Sequence, residues 1–288
     1  MKKNIVTAIC LLALIISLFS CRKKIKINED NIYSRHLQSH IPLTIISTPI
    51  GDDKKEMNLI LINDGQDIAQ LRLQTTIDSL YKKDLLQPVL IIAIHAVDRA
   101  QIYGVADKPD YQNNGTKAAK YAAFVDDELY NYIKKKTGIR SFKSITMAGC
   151  SLGGLSAFDI AWNHADKIDK VGIFSGSFWW RDKACEDISF EEEKNRIMHR
   201  LVREGQLQKN LKFFFQVGSL DESQDRNNNG VIDSIDDTLS LIGELVRKGY
   251  TEHDIAYLEI ENGRHDVPTW ASAFPAFLQY CWGSEKQN

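Results

Sequence analysis

The chain has 288 residues, 43% of them hydrophobic and 26% charged, and carries a formal net charge of −2. That length and composition suit one globular domain of the larger kind. The balanced charge leaves no basic footprint for nucleic acid, and there is no internal repeat or long low-complexity run.

In chain order, the first segment stands apart from the rest. Met1, Lys2 and Lys3 give a basic start, and residues 5–19 are nearly all apolar. This pattern reads as a secretion signal over residues 1–20, and the apolar run is short for a membrane-spanning helix. Its ending, Leu18-Phe19-Ser20-Cys21, resembles a bacterial lipobox. The resemblance implies cleavage before Cys21 and lipid attachment to its thiol and new amine. The expectation is an exported protein, lipid-anchored to a bacterial membrane on the periplasmic or outer face. Arg22, Lys23 and Lys24 would then lie against anionic headgroups. Residues 21–33 are polar and charged and read as a tether to a domain at 34–284. Of five cysteines, Cys10 goes with the signal and Cys21 with the lipid, which leaves Cys150, Cys185 and Cys281. Cys150 reads as a small buried residue, and Cys185 and Cys281 are not expected to pair.

Apolar runs at 43–47, 58–62, 89–94, 145–148, 170–175, 211–217 and 255–260 read as strands. Helical spacing recurs at 68–82, 117–135, 152–161, 238–248 and 270–282, and the charged stretch 181–208 reads as mainly helical. Residues 51–55 form a turn, and 95–114 a long polar loop. Continuous apolar strands alternating with helices predict an α/β fold with a mainly parallel central sheet covered on both faces.

The stretch around Ser151 organises the chemistry. A strand, then Gly149-Cys150-Ser151-Leu152-Gly153, then a helix is the nucleophile elbow. A serine hydroxyl needs a base within reach before it is a useful nucleophile, and a sharp strand-to-helix turn lifts it clear of the sheet. The Leu152 amide, at the start of the helix, is placed to stabilise an oxyanion.

Catalytic partners in such a sheet sit in loops at the carboxyl ends of strands. The strand at 211–217 is followed by Asp221 and Glu222, and that at 255–260 by His265. Ser151, Asp221 and His265 thus occur in the order nucleophile, acid, base, which is the order of α/β-hydrolases. His265 is the expected base and Asp221 the acid that orients it, with Glu222 as the alternative acid. His95 also ends a strand but lies upstream of Ser151, so it is expected to line the pocket. A second oxyanion donor is expected after an early strand, where Asp64-Gly65-Gln66 offers the amide of Gln66 or of Gly65.

These motifs resemble a known family. Asn63-Asp64-Gly65-Gln66, the Tyr121, Phe124, Glu128, Leu129 pattern, Gly149 to Gly154, Ser175-Gly176-Ser177-Phe178-Trp179-Trp180 and Gly263-x-His265 are similar to the esterase group of α/β-hydrolases. That group includes feruloyl and acetylxylan esterases, enterochelin esterases and the esterase D type. The resemblance spans residues 33–282 and implies hydrolysis of carboxylic esters through an acyl-serine intermediate, with small acyl or aromatic esters as substrates. Residue by residue it implies Ser151, Asp221 and His265 as the triad, with the Gln66 and Leu152 amides as oxyanion donors. A siderophore ester, or a non-catalytic binding lipoprotein on the same fold, are the alternatives.

Residues 225–236 carry a second motif, oxygen side chains at loop positions 1, 3, 5, 9 and 12 with glycine at 6. These are Asp225, Asn227, Asn229, Asp233 and Asp236, with the Val231 carbonyl at position 7 and Gly230 at the turn. The pattern is that of an EF-hand, with Asp236 where an EF-hand has Glu, as in dockerin loops. One structural calcium ion is expected; a partner-binding dockerin module would need a second loop, and none is present. Phe178, Trp179 and Trp180 read equally well as a substrate-binding wall or as core. Arg99 and Tyr103 read as solvated loop residues more readily than as substrate contacts.

Overall fold

The computed structural model describes residues 24–49 and 57–283. The expected signal, the lipidation site Cys21 and the turn at 51–55 lie outside the described residues.

Eight strands form one sheet in the order β1-β2-β4-β3-β5-β6-β7-β8. They are β1 (Lys26–Ser34), β2 (Ser39–Ser47), β3 (Asn58–Asn63), β4 (Val89–Ile94), β5 (Ile145–Cys150), β6 (Lys170–Phe174), β7 (Lys212–Leu220) and β8 (Ile255–Arg264). From β4 to β8 every pairing is parallel, and β1 and β2 close the edge as an antiparallel hairpin. The loops after β3, β4, β5, β6, β7 and β8 therefore leave the sheet along one edge, the place where such folds bind ligands.

The helices are α1 (Leu73–Lys82), α2 (Arg99–Ile102), α3 (Ala118–Ala123), α4 (Tyr130–Thr137), α5 (Leu152–Asn163), α6 (Glu192–Asn195), α7 (Ile197–Glu204), α8 (Asp233–Lys248) and α9 (Val267–Trp282). A π-helical turn, Phe124–Leu129, joins α3 to α4, so the expected single helix carries a wide turn at its middle. The continuous apolar strands are explained by two cores. Leu59, Leu61, Met147 and Phe213 face one core, with Phe158, Ile197 and Leu241. Ile60, Ile62, Ala148 and Phe214 face the other, with Leu73, Ile77, Phe274 and Phe277.

Several boundaries differ from the sequence reading. The expected tether is strand from Lys26 onward, paired from Lys26–Ser47 to Ser34–Ser39. It reads as a linker because an edge strand has one neighbour and its side chains stay largely exposed. The helix expected from residue 68 begins at Leu73, because Arg72 takes a left-handed backbone at its start. The stretch 181–208 is helical only at α6 and α7.

Candidate active site

Strand β5 passes into α5 through Ser151, whose φ of 55° and ψ of −123° are strained for a residue with a side chain. The backbone there is held on all sides. The Ser151 amide donates to Phe174 O at 2.8 Å, and its carbonyl accepts from Gly154, Leu155 and Ser177. Glycine at 149 is required by close approach, since a Cβ there would stand 2.2 Å from Gly153 O. The result is a half-exposed Ser151 side chain, with the Leu152 amide opening a helix whose first amides have no partner within it. Cys150 next door is buried, and burial together with the Asp64 charge pushes its thiol well above its usual pKa. It is no rival nucleophile at neutral pH.

The residues expected as acid and base meet at the far end of the same edge. His265 Nδ1 lies 3.3 Å from Asp221 Oδ2. The Asp221 side chain is fully covered, while that of His265 is 42% exposed. Glu222 is half-buried, its carboxyl pKa raised by burial and by the Asp233 and Asp237 charges. The contact to His265 comes from Asp221, which separates the two candidate acids. His265 is set between the end of β8 and α9, whose first turn is capped by Asp266 accepting from the Thr269 amide at 2.9 Å.

The turn at 175–177 touches both arms. Ser177 donates its amide to Ser151 O at 3.2 Å, and the two serine hydroxyl oxygens are 3.4 Å apart. Ser175 donates its hydroxyl to Asp221 Oδ1 at 2.9 Å. Among the described residues, Ser151 Oγ faces Ser177 and no hydrogen bond joins it to His265.

The loop after β3 is locked against the elbow. Asp64 has a left-handed backbone and starts a one-turn helix, Gly65–Asp67. Asn63 Nδ2 donates to Gly153 O at 2.7 Å, and Tyr103 accepts from the Asp64 amide at 2.9 Å. Arg99 grips the Asp64 carboxylate with Nε at 3.0 Å and Nη2 at 3.2 Å, and reaches Cys150 O at 3.2 Å. Burial works against the Arg99 charge, but the Asp64 carboxylate outweighs it and the guanidinium pKa stays raised. A Cβ on Gly65 would stand 2.6 Å from the His95 ring and 2.8 Å from Ala93, so this loop needs glycine to lie on the end of β4. The Gln66 side chain bridges Asp64 and the Ala96 amide.

Several sequence expectations change here. Phe178 and Trp180 do not line a pocket: both are fully buried. Phe178 packs edge-on against Phe158, and Trp180 donates to Lys108 O at 3.0 Å. Trp179 alone of the three stays partly exposed. Tyr103, read as solvated, is fully buried, and Arg99 anchors the loop after β3 through Asp64. His95 borders a cavity of about 450 Å³ on the β1–β2 side of the β3 loop, together with Glu29, Thr44, Gln66, Ile68 and Leu73. From sequence, Ser175 and Ser177 stand only as part of the family motif, with no role of their own, and Trp270 only as the start of a helix. The Ser-Gly-Ser following β6 was the signal available for the first two.

At 225–236 the loop turns through left-handed Asn228 and Gly230. Asp225 accepts from the Asn229 and Gly230 amides, and Asn229 Oδ1 from Val231. In the first half of the loop, backbone amides thus turn onto the loop's own oxygen side chains. The second half differs: Arg226 lies 3.2 Å from Asp233, and Asn227 Nδ2 donates to Asp236. Among the described residues no group of three or more His, Cys, Asp and Glu side chains is arranged to hold a metal ion.

Residues 34–281 match the family described as "Putative esterase". The chain belongs to this esterase family and has the α/β-hydrolase fold. Solved structures share the fold. The enterobactin esterase FES of Shigella flexneri aligns with a TM-score of 0.67 at 20% identity, over 88% of this chain and 58% of its own. A ferulic acid esterase aligns with a TM-score of 0.64 at 18% identity, over 89% of this chain and 97% of its own. The siderophore hydrolase EstB of Aspergillus nidulans aligns with a TM-score of 0.61 at 15% identity, over 88% and 94%. The chain thus spans little more than half of the enterobactin esterase. No curated protein matches it.

Proposed function

We propose that this esterase works through Ser151, with His265 as base and Asp221 as the acid that orients it. Ser151 Oγ attacks the ester carbonyl as His265 Nε2 takes the hydroxyl proton. Asp221, hydrogen-bonded at Nδ1, fixes the tautomer and stabilises the imidazolium. The oxyanion that forms is received by the amides of Leu152 and Gln66. Collapse breaks the carbonyl–alkoxy bond, the alcohol leaves with the proton from His265, and water repeats the sequence on the acyl-serine. The observation that carries this reading is the covered Asp221 carboxylate beside an open His265, on the same sheet edge as a strained, half-exposed Ser151.

The substrates proposed are small acyl or aromatic esters, of feruloyl or acetyl type. The cavity beside Gln66 has room for a group of that size, with Ile68 and Leu73 as apolar wall. A siderophore ester is a second reading, favoured by the likeness to an enterobactin esterase solved in the presence of enterobactin. Hydrolysis of a panel of acetyl, feruloyl and catecholate-lactone esters, with Ser151→Ala as blank, tests both. No turnover of any of them by folded protein would contradict the proposal.

Two further parts of the proposal have their own tests. Lipidation at Cys21 would hold the domain close to a bacterial membrane, because β1 begins as early as Lys26. Intact mass and detergent partitioning of the native protein against Cys21→Ala decide it. Calcium in the 225–236 loop would use Asp225, Asn227, Asn229, Val231 O, Asp233 and Asp236, with Arg226 releasing Asp233. Titration calorimetry with calcium, on native protein and on Asp225→Ala, checks binding. Unchanged melting temperature and ester hydrolysis after chelation would contradict a structural ion that stiffens the Asp221 loop.

A further inference from the structure

We infer that Ser175 and Trp270 are positioning residues that set the Asp221–His265 pair from two sides. The inference rests on the roles proposed above for Asp221 and His265.

A fully covered carboxylate is costly unless its oxygens are bonded. Asp221 has two side-chain partners on its two oxygens: Ser175 Oγ on Oδ1 and His265 Nδ1 on Oδ2. The direction of the first bond is fixed from further back. Trp270 Nε1 lies 2.9 Å from Ser175 Oγ. An indole N–H can only donate, so Ser175 accepts there and has one proton left, which goes to Asp221. The relay runs one way, indole to hydroxyl to carboxylate. It holds Oδ1 and leaves Oδ2 turned to the imidazole.

The serine is itself held in an unusual state. Its φ is 47°, in the left-handed region, and its amide is tied to Gln216 O at 2.7 Å. Trp270 also acts directly on the base. Its ring meets that of His265 edge-on, with centroids 5.2 Å apart and planes at 84°. Since 42% of the His265 side chain is open, this contact restrains a ring that solvent would leave mobile. One residue at the end of β6 and one in the first turn of α9 therefore fix the acid and the base together.

Variants separate this role from core packing. Trp270→Phe keeps the ring and removes the donor; Ser175→Ala removes the relay. With p-nitrophenyl butyrate, each lowers kcat about 10- to 100-fold at a nearly unchanged KM, the loss expected of one or two well-placed hydrogen bonds. The double variant is no slower than Ser175→Ala, and in an Asp221→Asn background neither change costs more than about twofold. The downfield NMR signal of the proton between His265 and Asp221 shifts in both variants. Factors that multiply in the double variant, or an equal loss in the Asp221→Asn background, would overturn the inference. So would an unmoved downfield proton, whether or not the protein turns over an ester. Lack of turnover by the native chain would instead count against the esterase reading, and the NMR comparison would still decide this one.

Discussion

Gly218 in β7 and Gly263 in β8 lie backbone against backbone: a Cβ on Gly218 would stand 2.4 Å from the carbonyl carbon and oxygen of Gly263. The register between the two strands shifts at this point, between Gly218 and Leu220. Bulges of this kind re-aim side chains next to active sites. Here the close approach brings the strand ends carrying Asp221 and His265 within hydrogen-bonding distance. Gly218→Ala is therefore expected to force the strands apart. Stability should drop by about 2 kcal/mol, in the range for overpacking, and ester hydrolysis should fall further than the melting temperature explains. Thermal unfolding with kcat on the folded protein checks it.

Arg99 is the second test. It pairs with Asp64, whose side chain is 6% exposed, and links the loop after β3 to the elbow through Cys150 O. Arg99→Leu leaves that carboxylate without its ion pair. Because Arg99 is itself partly open, the expected cost is roughly 2 kcal/mol rather than the larger loss of a fully buried pair. The loss in kcat should exceed that in KM, since the proposed oxyanion donor, the Gln66 amide, lies in that loop. Asp64→Asn in the Arg99→Leu background should restore part of the stability, read by denaturant unfolding.

The tryptophan pair separates core from site. Trp180 is fully buried, with its ring where Gly104 and Gly115 leave room for it. Trp180→Ala should cost about 3–5 kcal/mol. Trp179 is only partly covered, and Arg181 lies over its ring at 5.9 Å. Trp179→Ala should leave stability within about 1 kcal/mol of the native protein. Melting temperatures of the two variants, side by side, check the contrast.

His199 makes a prediction about pH. It is fully buried, and burial, reinforced by Arg196, lowers its pKa from 6.5 to about 3. The unfolded chain takes up a proton near pH 6.5 that the folded protein refuses until about pH 3. The contribution is present in full above pH 6.5 and is lost as pH falls toward 3, by up to about 1.4 kcal/mol per pH unit. His199→Gln keeps a donor for Asp237 O, which His199 Nε2 meets at 2.9 Å. Melting temperatures from pH 4 to 8 should fall less steeply for the variant than for the native protein.

Much of this was legible in the residues themselves. The strands β3, β4 and β7 are buried on both faces, so their apolar runs could not be mistaken for loops. The elbow and the order of Ser151, Asp221 and His265 were also readable: the first two follow buried strands, and His265 lies at the end of the half-buried β8. What sequence could not separate was core from wall. Phe178, Trp179 and Trp180 are adjacent and chemically alike, and only the packing against Phe158 and Phe215 tells which are enclosed. Arg99 and Tyr103 lie in a polar loop whose composition hides that both fold back onto Asp64. Ser175 and Trp270 are 95 residues apart, and nothing local announces their bond. The β1 strand looked like a tether because its edge position asks little hydrophobicity of it.

The central claim is that the Ser151 hydroxyl is made reactive by His265. Its most direct measurement is the rate at which a fluorophosphonate labels folded protein, with the modified residue located by peptide mass spectrometry. Labelling is expected on Ser151, abolished in Ser151→Ala and slowed by about a thousandfold or more in His265→Ala and Asp221→Asn at unchanged melting temperature. Folded protein that remains unlabelled, or that is labelled as fast without His265, would contradict the account.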